Sequence, residues 1–310
     1  MKRFFALILA LLTLALLAGC GAAPAEKDVP QIVTTIFPIY DWTKNLLGDR
    51  ADGTELILLL DDGVDMHSFQ PSVSDMITLT GCDLLIYVGG ESDAWIDEAL
   101  AAHPNAERRV VRLMDVLGQR ALKEELVEGM EGEAEDTPDE HVWLSLKNAE
   151  LFCAAIRDAL IGLDAEHARS YEAAYAVYET KLEALDVEYR AAADSAPLHT
   201  LLFADRFPFR YLTEDYGLGY YAAFAGCSAE TEASFATVIF LADRTKELGL
   251  KHICQIETSD GRLADAVIRT AGVEGLGVLT LHSMQGAVGG ESYLSLMEKN
   301  LELMKEALNG

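Results

Sequence analysis

Short apolar runs alternate with segments of helical periodicity along almost the whole chain. In the first half the apolar runs are QIVTTIF (31–37), TELILLL (54–60), CDLLIYVGG (82–90) and RVVRLMDVL (109–117). In the second half they are LHTLLFA (198–204), YYAAFAG (220–226), HICQIET (252–258) and GVLTL (277–281). Most of the segments between them repeat apolar residues every three or four positions, as amphipathic helices do. This alternation predicts an α/β fold with parallel sheets.

One long helical segment separates the two sets of strands. Residues 164–195 contain neither glycine nor proline, and the segment is longer than most helices of globular proteins. A Phe-Pro pair opens the first helix of each half, so the halves are weakly alike. We therefore predict two similar Rossmann-like lobes, at 31–163 and 197–310, joined by one long interlobe helix at 164–196. Ligands of such lobes bind at the carboxyl ends of the strands, which here would face a cleft.

The N-terminus has the pattern of a secretory signal. Two basic residues precede an apolar run that ends in small residues, and the run is short for a membrane span. The sequence LAGC resembles the bacterial lipobox, in which Cys20 becomes the lipid-modified first residue. An ordinary cleaved signal is the alternative. We expect a signal peptide at 1–19 and a lipid-anchored tether at 20–30, which would place the protein outside the cytoplasm on the bacterial cell membrane.

The chain carries a formal net charge of −27 at pH 7. Such an acidic surface argues against binding nucleic acid, whose phosphates it would repel, and it weakly concentrates cations. A run of carboxylates at 124–140 is interpreted as a solvated surface loop rather than a metal-collecting arm.

Four cysteines follow Cys20, and their spacing contains no CxxC pair. Two interpretations stay open for them. Outside the cytosol they could form the within-lobe disulfides Cys82–Cys153 and Cys227–Cys254, or they could be buried thiols.

Three of the seven histidines fall where a binding site is expected. His67 and His282 closely follow predicted strands, and His141 starts a helix at the same rim of the sheets. Neutral imidazole suits zinc, and several are needed to displace its water ligands. The pattern therefore predicts one metal site built from these three residues. The histidines interpreted as surface residues are His103, His167 and His252, while His199, near the mouth of a strand, is ambiguous.

The segments around these residues resemble a known family. DGVDMHSFQPSVSDM, DEHVWLSLKNA and GVLTLHSMQG are similar to the ligand segments of the metal-binding lipoproteins of bacterial zinc and manganese ABC importers. The resemblance covers nearly the whole chain. It implies a solute-binding protein with a rigid interlobe helix that captures a divalent metal and delivers it to an ABC permease and its ATPase. It also implies a monomer that is not an enzyme.

Two positions depart from the family pattern. The family often has a histidine where this chain has Arg206, and its last ligand is usually a carboxylate where we align His282. We interpret the changes as complementary, because one imidazole is lost at Arg206 and another is gained at His282. The result is a rearranged site of His67, His141 and His282. Because manganese favours oxygen ligands, this nitrogen-rich set favours zinc over manganese. Manganese stays the alternative, since 124–140 lacks the histidine-rich loop often found in zinc-specific relatives.

A fourth position in the site is expected to hold water or a carboxylate. Asp205 and Glu257 are the first candidates for that carboxylate, ahead of Glu230 and Glu232. Arg206, Glu230 and Glu232 are expected to surround the ligands. A metal would repel Arg206, so we expect its guanidinium to turn away and pair with an acid.

Two other functions are compatible with these residues. A three-histidine zinc centre resembles that of a hydrolase, but the sequence offers no convincing general base at a fixed spacing. A two-lobe receptor for an organic solute would need an arginine to clamp a carboxylate, and Arg206 is available for that role.

Overall fold

The computed structural model describes residues 29–60, 64–132, 137–228, 232–285 and 290–309. Residues 31–310 form one compact unit. The predicted signal peptide, Cys20, most of the predicted tether and Glu230 lie outside the described residues.

The described elements alternate as the sequence pattern predicts. The first half contains β1 (Gln31–Thr34), α1 (Phe37–Leu47), β2 (Glu55–Leu58), α2 (Val73–Gly81), β3 (Leu84–Tyr87), α3 (Ala94–Ala102), β4 (Arg109–Arg112), α4 (Leu113–Leu117) and α5 (Leu146–Leu163). The long helix α6 (Ala168–Ser195) follows. The second half contains β5 (Thr200–Phe207), α7 (Arg210–Tyr216), β6 (Gly219–Ala225), α8 (Phe235–Glu247), β7 (His252–Ile256), α9 (Arg262–Ala271), β8 (Gly277–Leu281) and α10 (Tyr293–Asn309).

The strands form two parallel sheets with the same topology. The first has the order β2-β1-β3-β4 and the second the order β6-β5-β7-β8, and every strand pairing is parallel. The predicted fold, two α/β lobes joined by a long helix, is therefore confirmed. The carboxyl ends of both sheets are where a site is expected.

Local sequence explains why the helices begin where they do. Phe37 and Pro38 open α1, because proline in the first turn gives up no backbone hydrogen bond. Ser72 caps α2 through a capping box with Asp75. Ser145 caps α5, the helix that follows His141.

One apolar core joins the two lobes. It contains Trp42 and Phe152 from the first half, Tyr189 from α6, and Phe203 and Leu281 from the second half. The C-terminal helix α10 packs against α6 and α1 as well as against β7 and β8. The lobes are therefore held by shared packing and not only by the chain between them.

Buried hydroxyl groups add polar links inside this core. Tyr189 donates a hydrogen bond to the carbonyl of Met297 at 2.7 Å, and Tyr293 donates one to the carbonyl of Trp143 at 2.7 Å. Both bonds tie α10 to the other side of the core, which satisfies hydroxyls that burial would otherwise leave without water.

The acidic run is not a loop that projects into solvent. Its first part, which we name the crossing segment (residues 123–132), lies against the second lobe. Glu131 forms a parallel β-bridge with Phe224 of β6, and its amide donates to the carbonyl of Ala223 at 2.9 Å. Just before it, the amide of Leu122 donates to the hydroxyl of Tyr211 at 3.0 Å. The run therefore links the two lobes at the open edge of β6.

All four cysteines in the described part of the chain are thiols, and no disulfide joins them. Cys82 and Cys153 pack in separate apolar clusters. Cys254 is buried within β7, whereas Cys227 lies beyond the end of β6. Their side chains do not meet, which decides between the two interpretations in favour of thiols.

No helix in the described ranges combines the length and the apolar character that a membrane crossing requires.

Candidate metal centre

His67 lies on a short helical turn beyond the end of β2. The turn covers Met66–Ser68, and Asp65 caps it by accepting a hydrogen bond from the His67 amide at 3.0 Å. Met66 is buried and anchors the turn. The imidazole Nδ1 lies 2.8 Å from the hydroxyl of Ser92. These contacts leave Nε2 directed toward the second histidine.

His141 is fully buried and is held by one carboxylate. Asp139 Oδ1 accepts hydrogen bonds from the His141 amide at 2.8 Å and from its Nδ1 at 3.0 Å. Val142, Trp143 and Leu144, which follow, are also fully buried. A carboxylate on Nδ1 fixes the tautomer in which Nε2 carries the lone pair, the form that binds a metal.

The two imidazoles converge. His67 Nε2 and His141 Nε2 are 3.2 Å apart. Two nitrogen ligands of one tetrahedral zinc ion are separated by about 3.3 Å, given Zn–N distances of about 2.0–2.1 Å. Burial, and then the neighbouring charge of His141, lower the pKa of His67 to about 3, so its ring is neutral near pH 7. The pair therefore has the spacing of metal ligands, and His67 also has the protonation state of one.

Cys227 is the third potential ligand at this point. In the described residues, His67, His141 and Cys227 form a group whose ligand atoms all lie within 4.8 Å of one another. Cys227 follows β6, and its amide donates to Glu124 Oε1 at 2.8 Å. Burial, and then the nearby carboxylates of Asp139 and Glu124, raise the pKa of its thiol.

The sequence interpretation missed Cys227 because it considered the residue only as a disulfide partner or a buried thiol. Its place directly after an apolar run, at the carboxyl end of a parallel strand, was the available signal.

The structure does not bring His282 into this group. His282 follows β8 as expected, but its amide and carbonyl bond to the side chain of Asn300, at 2.8 and 2.9 Å. Its charge acts weakly on Glu291. Hydrogen bonds from Lys299 and Ser295, with a smaller contribution from His282, lower the pKa of that carboxyl.

Gln285 lies next to His141 instead. Its Nε2 is 3.2 Å from His141 Nε2, and the residue is only 4% exposed. Its amide oxygen is buried without a hydrogen-bond partner in the described structure. A neutral amide carries no charge or titration signal, so the sequence interpretation did not single it out.

The loop from His282 to Gln285 is held firmly. Glu257 accepts hydrogen bonds from the amides of Ser283 and Met284 at 2.7 and 3.2 Å, and from the Ser283 hydroxyl at 2.8 Å. The Trp143 indole donates to the carbonyl of Ser283 at 2.7 Å. Met284 has a φ of 59°, a left-handed conformation that costs a non-glycine residue about 1 kcal/mol or more. The surrounding bonds maintain this turn, which directs Gln285 toward His141.

The carboxylates expected as a fourth ligand have other roles here. Glu257 holds the loop just described. Asp205 accepts hydrogen bonds from the amides of Arg206 and Ile256, at 2.8 and 3.2 Å. Glu232 is exposed to solvent. Each of these three carboxylates is thus explained without a metal.

Arg206 pairs with an acid, as expected. Its guanidinium lies 2.7 Å from Asp65 Oδ2, and the pair joins the end of β5 to the turn that carries His67. Burial alone would raise the pKa of Asp65, but the hydrogen bond and charge of Arg206 outweigh burial and lower it. The cation is therefore neutralised beside the site.

A cavity of about 480 Å³ leads from the surface to the site. His67 and Cys227 are among the residues that line it. Four carboxylates line it, Glu91, Glu124, Glu131 and Glu140, and all belong to the first half of the chain. A negative entrance attracts a dication and raises its local concentration.

Comparison with known proteins identifies the family of this chain. Residues 32–307 match the model of the ZnuA family, described as zinc-uptake complex component A, periplasmic. The zinc-binding lipoprotein AdcA of Streptococcus pneumoniae serotype 4 is 29% identical over 315 residues, which cover 99% of this chain and 61% of AdcA. The chain thus spans about three fifths of the length of that relative.

Two further comparisons extend over nearly all of this chain. The high-affinity zinc uptake system protein ZnuA of Bacillus subtilis is 28% identical over 311 residues, covering 94% of each chain. The structure of the Zn(II)-bound ZnuA-like domain of Streptococcus pneumoniae AdcA superposes with a TM-score of 0.73 at 26% identity, covering 91% of this chain and 100% of that domain. With two parallel-sheet lobes, a converging histidine pair and a family match over residues 32–307, the chain belongs to the ZnuA family.

Proposed function

We propose that this protein captures zinc outside the cytoplasm, in the cleft between its lobes, and delivers it to an ABC permease driven by its ATPase. The observation that carries the proposal is the convergence of His67 Nε2 and His141 Nε2 at 3.2 Å. The relatives named as zinc-binding or zinc-uptake proteins support the same cargo.

The chemistry of the site favours zinc over manganese. Imidazole is a borderline ligand, and a nitrogen-rich site binds zinc more tightly than manganese. Asp139 and Ser92 contact the Nδ1 atoms of the two rings, as groups around metal-bound histidines commonly do. His282, expected from the sequence as a third ligand, stays a candidate that mutation must test.

Anchoring belongs to the same proposal. A lipid on Cys20 and a short tether would hold the protein near its permease, where its effective concentration is high. After cleavage of the signal sequence, both lobes (31–163 and 197–310) and the helix between them would lie outside the membrane. The protein would act as a monomer.

The transport role is favoured over the two alternatives. The family is a substrate-binding component of uptake complexes, which agrees with binding and release rather than hydrolysis. A receptor for an organic solute would use Arg206 as a carboxylate clamp, but Arg206 is engaged by Asp65.

The test is a competitive zinc titration of wild type, His67→Ala and His141→Ala. We expect each variant to lose at least about tenfold in zinc affinity. Removing a residue that hydrogen-bonds to a metal ligand already costs about that much, and removing the ligand itself should cost no less. His103→Ala, a histidine variant on the exposed surface, is the matched control and should bind as wild type does. Unchanged affinity in both His67→Ala and His141→Ala would overturn the proposal.

A further inference from the structure

We propose that the sulfur of Cys227 and the amide oxygen of Gln285 complete the metal site with His67 and His141, and that this set selects zinc and softer cations over manganese. The inference rests on the proposed function. It names the ligands and the class of cation for the same cleft.

The position of Cys227 carries the first half of the inference. Its sulfur belongs to the group whose ligand atoms lie within 4.8 Å of one another. A nitrogen and a sulfur bound to one tetrahedral zinc ion are about 3.6 Å apart, from bond lengths of about 2.0–2.1 and 2.3 Å. Small side-chain adjustments therefore bring the thiolate into range. Glu124 holds the Cys227 backbone from the crossing segment, at 2.8 Å.

Gln285 supplies an independent observation that points to a ligand. It is almost completely buried beside His141, and its Oε1 atom has no hydrogen-bond partner in the described structure. Because Asp139 accepts the Nδ1 proton of His141, His141 Nε2 presents a lone pair, and Gln285 Nε2 donates to it. A half-turn of the amide group would place Oε1 toward the same point. A cation there would satisfy this oxygen and both imidazoles together.

His282 is the competing ligand. Its Nδ1 is also buried without a hydrogen-bond partner in the described structure, but no contact places its ring beside His67 or His141. Its main chain is fastened to Asn300. It is absent from the described ligand group. The left-handed turn at Met284 separates it from Gln285, which faces His141 instead.

The ligand set determines which cations fit. Thiolate is a soft ligand that suits zinc, cadmium and copper(I), whereas manganese prefers carboxylate and water oxygens. On binding, the thiol proton leaves to solvent as the sulfur–metal bond forms. The thiolate then neutralises one of the two positive charges of a divalent cation. The carboxylates lining the cavity are positioned to neutralise the other.

The first experiment uses cobalt(II) as a spectroscopic probe and zinc as the competitor, on the purified protein with its thiols reduced. Wild type should show a thiolate-to-cobalt charge-transfer band in the near ultraviolet that zinc abolishes. Cys227→Ser should lose the band and at least about tenfold in zinc affinity. Cys254→Ser is the matched control, because that thiol is buried within β7, and it should keep the band.

A second set of variants separates the two candidate fourth ligands. Gln285→Ala should weaken zinc binding, and His282→Ala should leave it unchanged. Gln285→Glu should narrow the preference for zinc over manganese, because it adds the hard oxygen that manganese prefers. Cys227→His should restore zinc affinity without the charge-transfer band, which shows that the Cys227→Ser protein fails through its lost ligand and not through misfolding.

The outcomes separate this inference from the proposed function. If Cys227→Ser binds zinc as wild type does and the band is absent from wild type, the Cys227 ligand is wrong, while the function stands on His67 and His141. If His282→Ala loses zinc and Gln285→Ala does not, the fourth ligand is His282. If wild type binds manganese as tightly as zinc, the stated cation class is wrong.

Discussion

At the scale of single residues, each histidine of the proposed metal site depends on a neighbour that holds its ring. His141 has the stronger support, because one oxygen of Asp139 accepts from both its amide and its Nδ1. His67 relies on Ser92, a neutral hydroxyl. Asp139 is thus the residue outside the ligand set whose loss should matter most for binding.

Asp139→Ala should lower zinc affinity by about 10- to 100-fold, the usual cost of removing a group behind a ligating histidine. Competitive zinc titration measures the change. Asp164→Ala is the matched control, since Asp164 bonds Nδ1 of His167 in the same manner away from the site. Equal losses in both variants would show a general effect on folding instead.

The sequence predicts two of the clustered site residues and misses a third. His67 and His141 were predictable because their motifs mark the turns that follow β2 and precede α5. Cys227 was considered only for disulfides or burial. Gln285 could not be predicted from the sequence. It is directed to the site by the left-handed turn at Met284, and methionine rarely adopts that conformation.

At the scale of elements, the packing of α5 against α6 places carboxylates together. Burial, and then the charges of Asp186, Glu183 and Glu179, raise the pKa of Glu150 to about 7. The alternation of strands and helices predicts both elements, but sequence periodicity does not report which acids of two helices meet. Contacts between helices thus shift pKa values in a way that the sequence pattern of either helix alone does not predict.

Glu150→Gln should raise thermal stability at pH 8 and have little effect near pH 4. A carboxyl whose pKa is higher in the folded than in the unfolded protein costs stability as it ionises, so the cost grows from about pH 4.5 to about pH 7. Melting curves across this range measure it. Glu172→Gln, an exposed glutamate on α6, is the control, and an equal gain from it would contradict the explanation.

The crossing segment was interpreted from sequence as part of a surface loop, because its composition is acidic and lacks apolar periodicity. Gly129 shows why it packs instead. It has a φ of 87°, and a Cβ there would lie 2.1 Å from the Phe240 ring of α8. The close approach of backbone to ring needs glycine, and composition alone does not reveal that contact.

Gly129→Ala should therefore release the crossing segment, with faster hydrogen exchange at residues 123–132 and a lower melting temperature. Gly132→Ala is the control: Gly132 also has a positive φ, of 123°, but its Cβ would meet nothing closer than 3.9 Å. It should show the backbone strain without the collision. Similar exchange in the two variants would mean that strain, not contact with Phe240, governs the segment.

At the scale of the whole molecule, the lobes share their core through α6 and α10. The Asp65–Arg206 pair adds an ionic link beside the site. The duplicated strand–helix pattern predicts two lobes and a long helix. It does not predict that α10 packs on the first half, because an amphipathic pattern shows that a helix has a buried face but not which element covers it.

Zinc at a hundred times its dissociation constant should stabilise the protein by about 2.7 kcal/mol, and so raise its melting temperature by roughly 5 °C. Calorimetry with and without zinc measures the shift, and a chelator should reverse it. His67→Ala and His141→Ala should show little shift at the same zinc concentration. A full shift in both would place the bound zinc elsewhere.

The bridge between Glu131 and β6 also limits how a second copy of the chain could pair with the second sheet. β6 is an outer strand of the second sheet, and an uncovered outer strand offers its backbone groups to any neighbouring chain. The crossing segment occupies that backbone at Ala223 and Phe224 and surrounds it with carboxylates that repel other acidic copies. A second copy of the chain therefore finds little free backbone at this edge to which it could add a strand.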